Sequence, residues 1–296
     1  MSWLINAAQL DRLRKNPKNV VILDASGYYS DKSYSAEQAF FQSHIAGARF
    51  LDFNRFHDKH SSLPNMLSRD EVVISDNISK LGITSEHKIV LYDRDEQRTS
   101  CRAAWMFKVF GHHASQLFIL DGGYASWEKY GGKVSVGEPA SIPVKPPYPV
   151  NYEARYIRTL LQMKANLHHL KEQVIDVRHA VRFAGGPEPR PGLRHGHLPD
   201  SFSFPFSCFF ESTGEWKSLD KIRKQLLGIG VDLDKPIIAT CGSGVTAAIL
   251  DFTLDLLNHD SHAVYDGSWV EWGAEVLYPG EESLSERPVK TSLEPK

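Results

Sequence analysis

The 296-residue chain has only three cysteines, Cys101, Cys208 and Cys241, and no C-x-x-C pair among them. An odd, scattered set argues against a disulfide framework and a cysteine-rich zinc site, and fits a reducing compartment. Long apolar runs are missing too. No stretch approaches the roughly 18 residues of a membrane-spanning helix, and the opening M-S-W-L-I-N-A-A-Q-L-D-R-L-R-K-N-P lacks the apolar core of a secretory signal. The expected location is the cytoplasm, or an organelle matrix, with no membrane partner. Charge of one sign is not in excess either: 34 Lys and Arg against 36 Asp and Glu leave −2. Without a basic stripe no nucleic acid is expected as a partner, and a small molecule fits better.

What is present is an ordinary globular composition, 42% hydrophobic and 24% charged, over a length that exceeds one usual core. The chain also repeats itself. V-V-I-L-D-A at 20–25 is echoed by Q-V-I-D-V-R at 173–178, so Asp24 and Asp176 are offset by 152. S-H-I-A-G-A at 43–48 is echoed by G-H-L-P-D-S at 196–201, which pairs His44 with His197. K-I-V-L-Y-D at 88–93 matches P-I-I-A-T-C at 236–241, and L-D-G-G-Y-A-S-W at 120–127 matches Y-D-G-S-W-V-E-W at 265–272. Four strand-end signals in one order imply a duplicated domain.

Between the copies, V-G-E-P-A-S-I-P-V-K-P-P-Y-P-V at 136–150 carries five prolines, which favour an extended connector. The expected layout is a first domain over 1–138, a proline-rich linker over 139–151, a second domain over 152–283 and a polar tail over 284–296, fraying from about Glu281. Short apolar runs alternate with helical patterns in both halves. That alternation predicts an α/β class, each domain a parallel sheet flanked by helices on both faces.

The chemistry is expected at 236–247. P-I-I-A-T reads as a buried strand, C-G-S-G-V-T as a tight turn, and the segment from Ala247 as a helix. Cys241 opens the turn. Gly242 and Gly244 let the backbone of Ser243, Val245 and Thr246 curl into a cradle of N–H groups at a helix N-terminus, suited to an anion. Thiols in such places ionise more readily than free ones, which favours a nucleophilic thiolate and would stabilise a persulfide. A cysteine phosphatase could share the design, but it needs an arginine six positions on to clamp phosphate, and that position is Ala247. Cys101 and Cys208 open no such turn and read as structural.

The loop C-G-S-G-V-T-A, the segment Y-D-G-S-W-V-E-W, F-G-H-H-A at 110–114 and the two-domain layout resemble the rhodanese superfamily, in its tandem-domain sulfurtransferases. The resemblance implies that Cys241 takes the sulfane sulfur of 3-mercaptopyruvate, releases pyruvate and passes the sulfur to a thiol, thioredoxin or cyanide. It implies no metal and no organic cofactor. Thiosulfate as donor is the alternative within enzymes, and a persulfide carrier without turnover is the alternative of another class. Neutral Gly242 and Ser243 suit a monoanionic keto acid better than a dianion.

Arg182 and Arg190 match the arginines that bind the substrate carboxylate in the resemblance, and two guanidinium groups can clamp a carboxylate bidentately. In the first half the internal alignment puts Asp93 where Cys241 sits, which predicts a domain without a sulfur nucleophile. Asn54 and Asn65 stand where relatives often carry an acidic residue and a histidine. Neither is a general base near neutral pH, so no serine–histidine–acid relay is expected. His44 and His197 predict a shared structural hydrogen bond, and Trp269 and Trp272 predict packing of the wall near the reactive loop, with core packing alone and substrate contact both open.

Overall fold

Short aliphatic, β-branched runs bounded by polar residues form the sheets. The computed structural model describes residues 3–15, 19–27, 35–139, 142 and 145–292. In the first half the strands are β1 (Leu4–Ile5), β2 (Val20–Asp24), β3 (His44–Ile45), β4 (Arg49–Phe50), β5 (Lys88–Tyr92), β6 (Leu117–Leu120) and β7 (Val134–Ser135). In the second they are β8 (Ile157–Arg158), β9 (Gln173–Asp176), β10 (Ser201–Ser203), β11 (Ile237–Thr240) and β12 (His262–Tyr265).

Two five-stranded sheets result, ordered β1-β6-β5-β2-β4 and β8-β12-β11-β9-β10. All pairings within them are parallel. Corresponding strands occupy the same places in the two orders, so the repeat visible in the sequence is a repeat of topology. β3 and β7 pair antiparallel in a small separate sheet.

Parallel strands are covered on both faces and therefore read as continuous apolar runs. β11, I-I-A-T, is buried at every residue. The helix after each central strand is also buried: Thr99–Val109 along its whole length, and Ala247–Leu256 from Ala247 to Leu254. Helix starts follow local chemistry. Asn6 with Gln9, and Thr159 with Gln162, form reciprocal capping boxes in which each side chain satisfies a backbone N–H of the other.

The chain divides into two compact units. One comprises residues 1–59, 67–153 and 210–216, and the other residues 60–66, 154–209 and 217–296. The second unit is centred on Met163, Val174, Leu198, Ile238, Tyr265, Trp269 and Trp272. Both tryptophans are fully buried, and their indole N–H groups donate to Arg194 O at 3.1 Å and Pro288 O at 2.9 Å. They are core residues. Truncating either to Ala would cost about 3–5 kcal/mol.

Residues 281–292 of the polar C-terminal end do not fray as their composition suggests. Arg287 is fully buried; it donates to the backbone oxygens of Glu271, Trp272 and Ala274 at 2.7–3.0 Å and to the Glu281 carboxylate at 2.9 and 3.1 Å. Lys290 then pairs with His197 through backbone bonds in both directions. A buried guanidinium needs acceptors around it, and the carbonyls that supply them come from distant sequence. Of the expected linker, residues 140, 141, 143 and 144 lie outside the described residues, as do 293–296 of the tail. Residues 145–150 of that linker form neither helix nor strand, and Tyr148 within them is buried, its phenol 2.9 Å from His112 Nδ1.

Candidate active site

Cys241 follows β11 directly, at the carboxyl edge of the second sheet, where parallel α/β folds place their ligands. Gly244 takes the left-handed conformation, φ +78°, which any other residue would adopt at a cost. The turn then runs through Val245 and Thr246 into the helix Ala247–Leu256. The short helix Ser268–Trp272 holds the loop from the other side: Trp269 N–H donates to Cys241 O at 3.0 Å and Val270 N–H to Gly242 O at 2.9 Å.

Cys241 is 2% exposed and is a free thiol. Its backbone N–H donates to the Ser268 hydroxyl at 3.2 Å, and the same oxygen lies 4.0 Å from Sγ. Among the described residues, the N–H groups of Gly242, Ser243, Val245 and Thr246 find no acceptor. Buried N–H groups without acceptors are rare, and in a turn at a helix start they are the ordinary means of holding an anion.

The two arginines expected from sequence do come to this loop. A side-chain carbon placed on Gly242 would lie 3.1 Å from Arg190 Nη1 and 3.4 and 3.5 Å from Arg182 Nη2 and Nη1. Glycine at 242 thus leaves room for both guanidinium groups over the backbone next to the cysteine. Arg190 Nη2 also donates to the Ser243 hydroxyl at 3.4 Å. Asn65 meets the same hydroxyl through Nδ2 at 3.0 Å. Asn54 is elsewhere, exposed on the 3-10 turn Phe53–Arg55, with its N–H on Asp52 Oδ1.

Two participants had no signal in the sequence. Glu188, whose side chain is 2% exposed, accepts from Arg182 Nε at 3.2 Å and from Arg182 Nη2, and pairs with Arg178 at 3.4 Å. Arg178 in turn is bidentate on Asp176. Arg178, Arg182 and Arg190 against Asp176 and Glu188 leave one net positive charge beside the loop. Ser268 is the other, a serine inside D-G-S-W that reads as part of a helix start; its φ of +49° turns the hydroxyl's backbone out of the ordinary helical region.

In the first unit Asp93 follows β5 as Cys241 follows β11. It is buried, and its carboxylate accepts from the N–H and hydroxyl of Ser100 and lies 3.4 Å from Arg98. Burial pushes its carboxyl above the usual range, against the pull of Arg98 and Ser100. The equivalent histidines behave alike. His44 Nδ1 is 2.9 Å from Phe40 O with its ring stacked on Phe40 at 4.0 Å, and His197 Nδ1 is 2.7 Å from Phe183 O with its ring stacked on Phe183 at 3.7 Å. The shared structural hydrogen bond expected from the repeat is therefore observed in both copies.

A profile described as the rhodanese-like domain matches residues 6–130 and again residues 159–275. The mouse 3-mercaptopyruvate sulfurtransferase is 36% identical over 273 residues, spanning 91% of this chain and 89% of that one. The chicken thiosulfate sulfurtransferase is 36% identical over 272 residues and 91% of each chain. The crystal structure of SseA from Escherichia coli, a 3-mercaptopyruvate sulfotransferase described as having the rhodanese fold, superposes with a TM-score of 0.80 at 29% identity, over 91% of this chain and 99% of that one. Two domain matches, relatives of this identity along most of the chain and a repeated five-stranded parallel sheet agree, and the chain belongs to the rhodanese-like family, with two copies of its domain in tandem.

Proposed function

We propose that this protein is a sulfurtransferase that takes the sulfane sulfur of 3-mercaptopyruvate onto Cys241 and hands it to a small thiol, thioredoxin or cyanide. The observation that carries the reading is the convergence of Arg182 and Arg190 on Gly242, beside a buried thiol at the base of a turn rich in N–H donors. A monocarboxylate held by that pair sets its three-carbon chain next to the sulfur.

The step balances without an outside reagent. The Cys241 thiolate attacks the donor's sulfur, forming an S–S bond as the C–S bond breaks, and the electron pair of that bond passes into the enolate of pyruvate. The hydrogen that began on the donor's thiol ends on the pyruvate methyl carbon, leaving an anionic persulfide. N–H groups of Gly242, Ser243, Val245 and Thr246 would hold its terminal sulfur. Burial of Cys241 keeps that sulfur from bulk water until an acceptor thiolate attacks it.

Pyruvate formation from 3-mercaptopyruvate with an added thiol tests the reading directly. Wild-type enzyme should turn over, and Cys241→Ser should not; mass spectrometry should find one added sulfur atom on Cys241 before acceptor is supplied. Turnover by the serine variant would sink the mechanism. Thiosulfate is the second reading, favoured by the equal identity to the chicken thiosulfate sulfurtransferase. A kcat/KM for thiosulfate far above that for mercaptopyruvate would select it. A single persulfide formed without repeated pyruvate release would instead make the protein a carrier. The cysteines are all free, which fits a reducing compartment such as the cytoplasm, and no helix among the described residues is long and apolar enough to cross a membrane.

A further inference from the structure

We infer that Asn65 is a positioning residue that fixes the Ser243 hydroxyl as a hydrogen-bond donor to the ketone oxygen of the sulfur donor; the inference rests on the mercaptopyruvate reading. A serine hydroxyl has one hydrogen to give and two lone pairs to fill. Both lone pairs of Ser243 are engaged: Asn65 Nδ2 donates at 3.0 Å and Arg190 Nη2 at 3.4 Å. The hydroxyl hydrogen is therefore directed away from both, and Ser243 meets a ligand as a donor only.

The orientation of the amide is fixed by a second acceptor. Asn65 Nδ2 also lies 3.5 Å from the backbone oxygen of Ser243, and a carbonyl can only accept. The group facing Ser243 is therefore the NH2, and the amide oxygen points elsewhere. Asn65 holds its backbone at φ +65°, in the left-handed region that asparagine tolerates better than most residues. Half-buried beside the buried Ser243, it keeps the same donor character at every pH at which the enzyme is folded, since an amide does not titrate.

When the C–S bond breaks, negative charge moves onto the ketone oxygen of the departing pyruvate enolate. A donor fixed beforehand toward that oxygen stabilises the transition state more than the ground state. Loss of the Asn65 contact lets the Ser243 hydroxyl rotate, so the penalty should fall on kcat rather than KM. Thiosulfate has no ketone, and a donor fixed for one has no equivalent charge to meet there.

The test uses Asn65→Gly, which removes the amide while fitting the left-handed backbone without strain, together with Ser243→Ala and the double variant. For each, kcat and KM are measured with 3-mercaptopyruvate and with thiosulfate. The expected result is a fall of roughly tenfold in the ratio of mercaptopyruvate to thiosulfate kcat/KM for Asn65→Gly, carried by kcat, the scale of one lost hydrogen bond. The double variant should match Ser243→Ala alone, because Asn65 acts through Ser243. An unchanged donor ratio, a loss confined to KM, or additive losses in the double variant would overturn the role of Asn65 alone. Wild-type enzyme that releases no pyruvate would overturn the mercaptopyruvate reading, and this inference with it.

Discussion

The backbone N–H of Cys241 donates to the hydroxyl of Ser268 at 3.2 Å, and the same oxygen stands 4.0 Å from the Cys241 sulfur. The Ser268 hydrogen is given to Tyr265 O at 2.8 Å, which anchors the oxygen. Ser268→Ala removes a buried acceptor and leaves the Cys241 N–H unpaired. The rate of the first pyruvate burst should fall about 2- to 10-fold, the range of one neutral hydrogen bond. Stopped-flow measurement of that burst checks it; an unchanged rate would reduce Ser268 to a prop for Tyr265.

In the proposed mechanism Arg182 has two tasks, and its loss should show both. Arg182→Ala removes one half of the carboxylate clamp and leaves Glu188 with a single, longer partner in Arg178, its negative charge next to the anion site. KM for mercaptopyruvate should rise roughly 10- to 100-fold, the scale of a lost charged hydrogen bond. Adding Glu188→Gln to that variant should recover part of the loss by removing the repulsion. If the double variant is no better than Arg182→Ala, the repulsion is not what the single variant suffers from.

His112 links stability to acid. Its ring sits between Tyr148 OH at 2.9 Å and His87 O at 3.0 Å, and burial brings it down to about 4 from an ordinary 6.5. The unfolded chain binds a proton there below pH 6.5 that the folded chain refuses until about pH 4. Its contribution is therefore complete above pH 6.5 and is lost as pH falls toward 4, up to about 3 kcal/mol. Urea unfolding at pH 7 and pH 4.5 should show a smaller difference for His112→Gln than for wild type; equal differences would discharge His112 from the effect.

Arg287 should be indispensable to the fold of the second unit. Arg287→Ala leaves the buried Glu281 carboxylate with Lys164 as its remaining cation, at 2.6 Å, and takes the guanidinium from four backbone oxygens, and should cost about 3–5 kcal/mol in urea unfolding. A cost under about 1 kcal/mol would mean that the end of the chain is loosely held after all.

Much of this molecule was legible before its structure because the signals were local. The strand, cysteine, glycine turn and helix at 236–256 lie in one continuous segment, and His44 and His197 repeat each other with their surroundings. What could not be read were side-chain meetings across long separations. Asn65 reaches Ser243 across 178 positions, and only the resemblance, through the relay it lacks here, pointed to that pair. Glu188 lies in a glycine- and proline-rich segment, and only the fold shows its side chain buried between Arg178 and Arg182. The fraying expected from about Glu281 fails over 281–292 for a related reason: a charged residue such as Arg287 near a chain end resembles surface until the carbonyls that receive it are known.

The two copies share a scaffold but differ at one strand tip, Asp93 against Cys241, and that difference is spread over more than one position. Between Asp93 and the helix beginning at Thr99 come Arg94, Asp95, Glu96, Gln97 and Arg98, with no glycine to let amide hydrogens converge. Asp95 is itself brought up to about 7, through burial first and the nearby Asp93 second. A thiol installed at 93 would inherit a turn without glycine, next to a buried Asp95. The two copies thus differ in the turn as well as in the side chain that opens it.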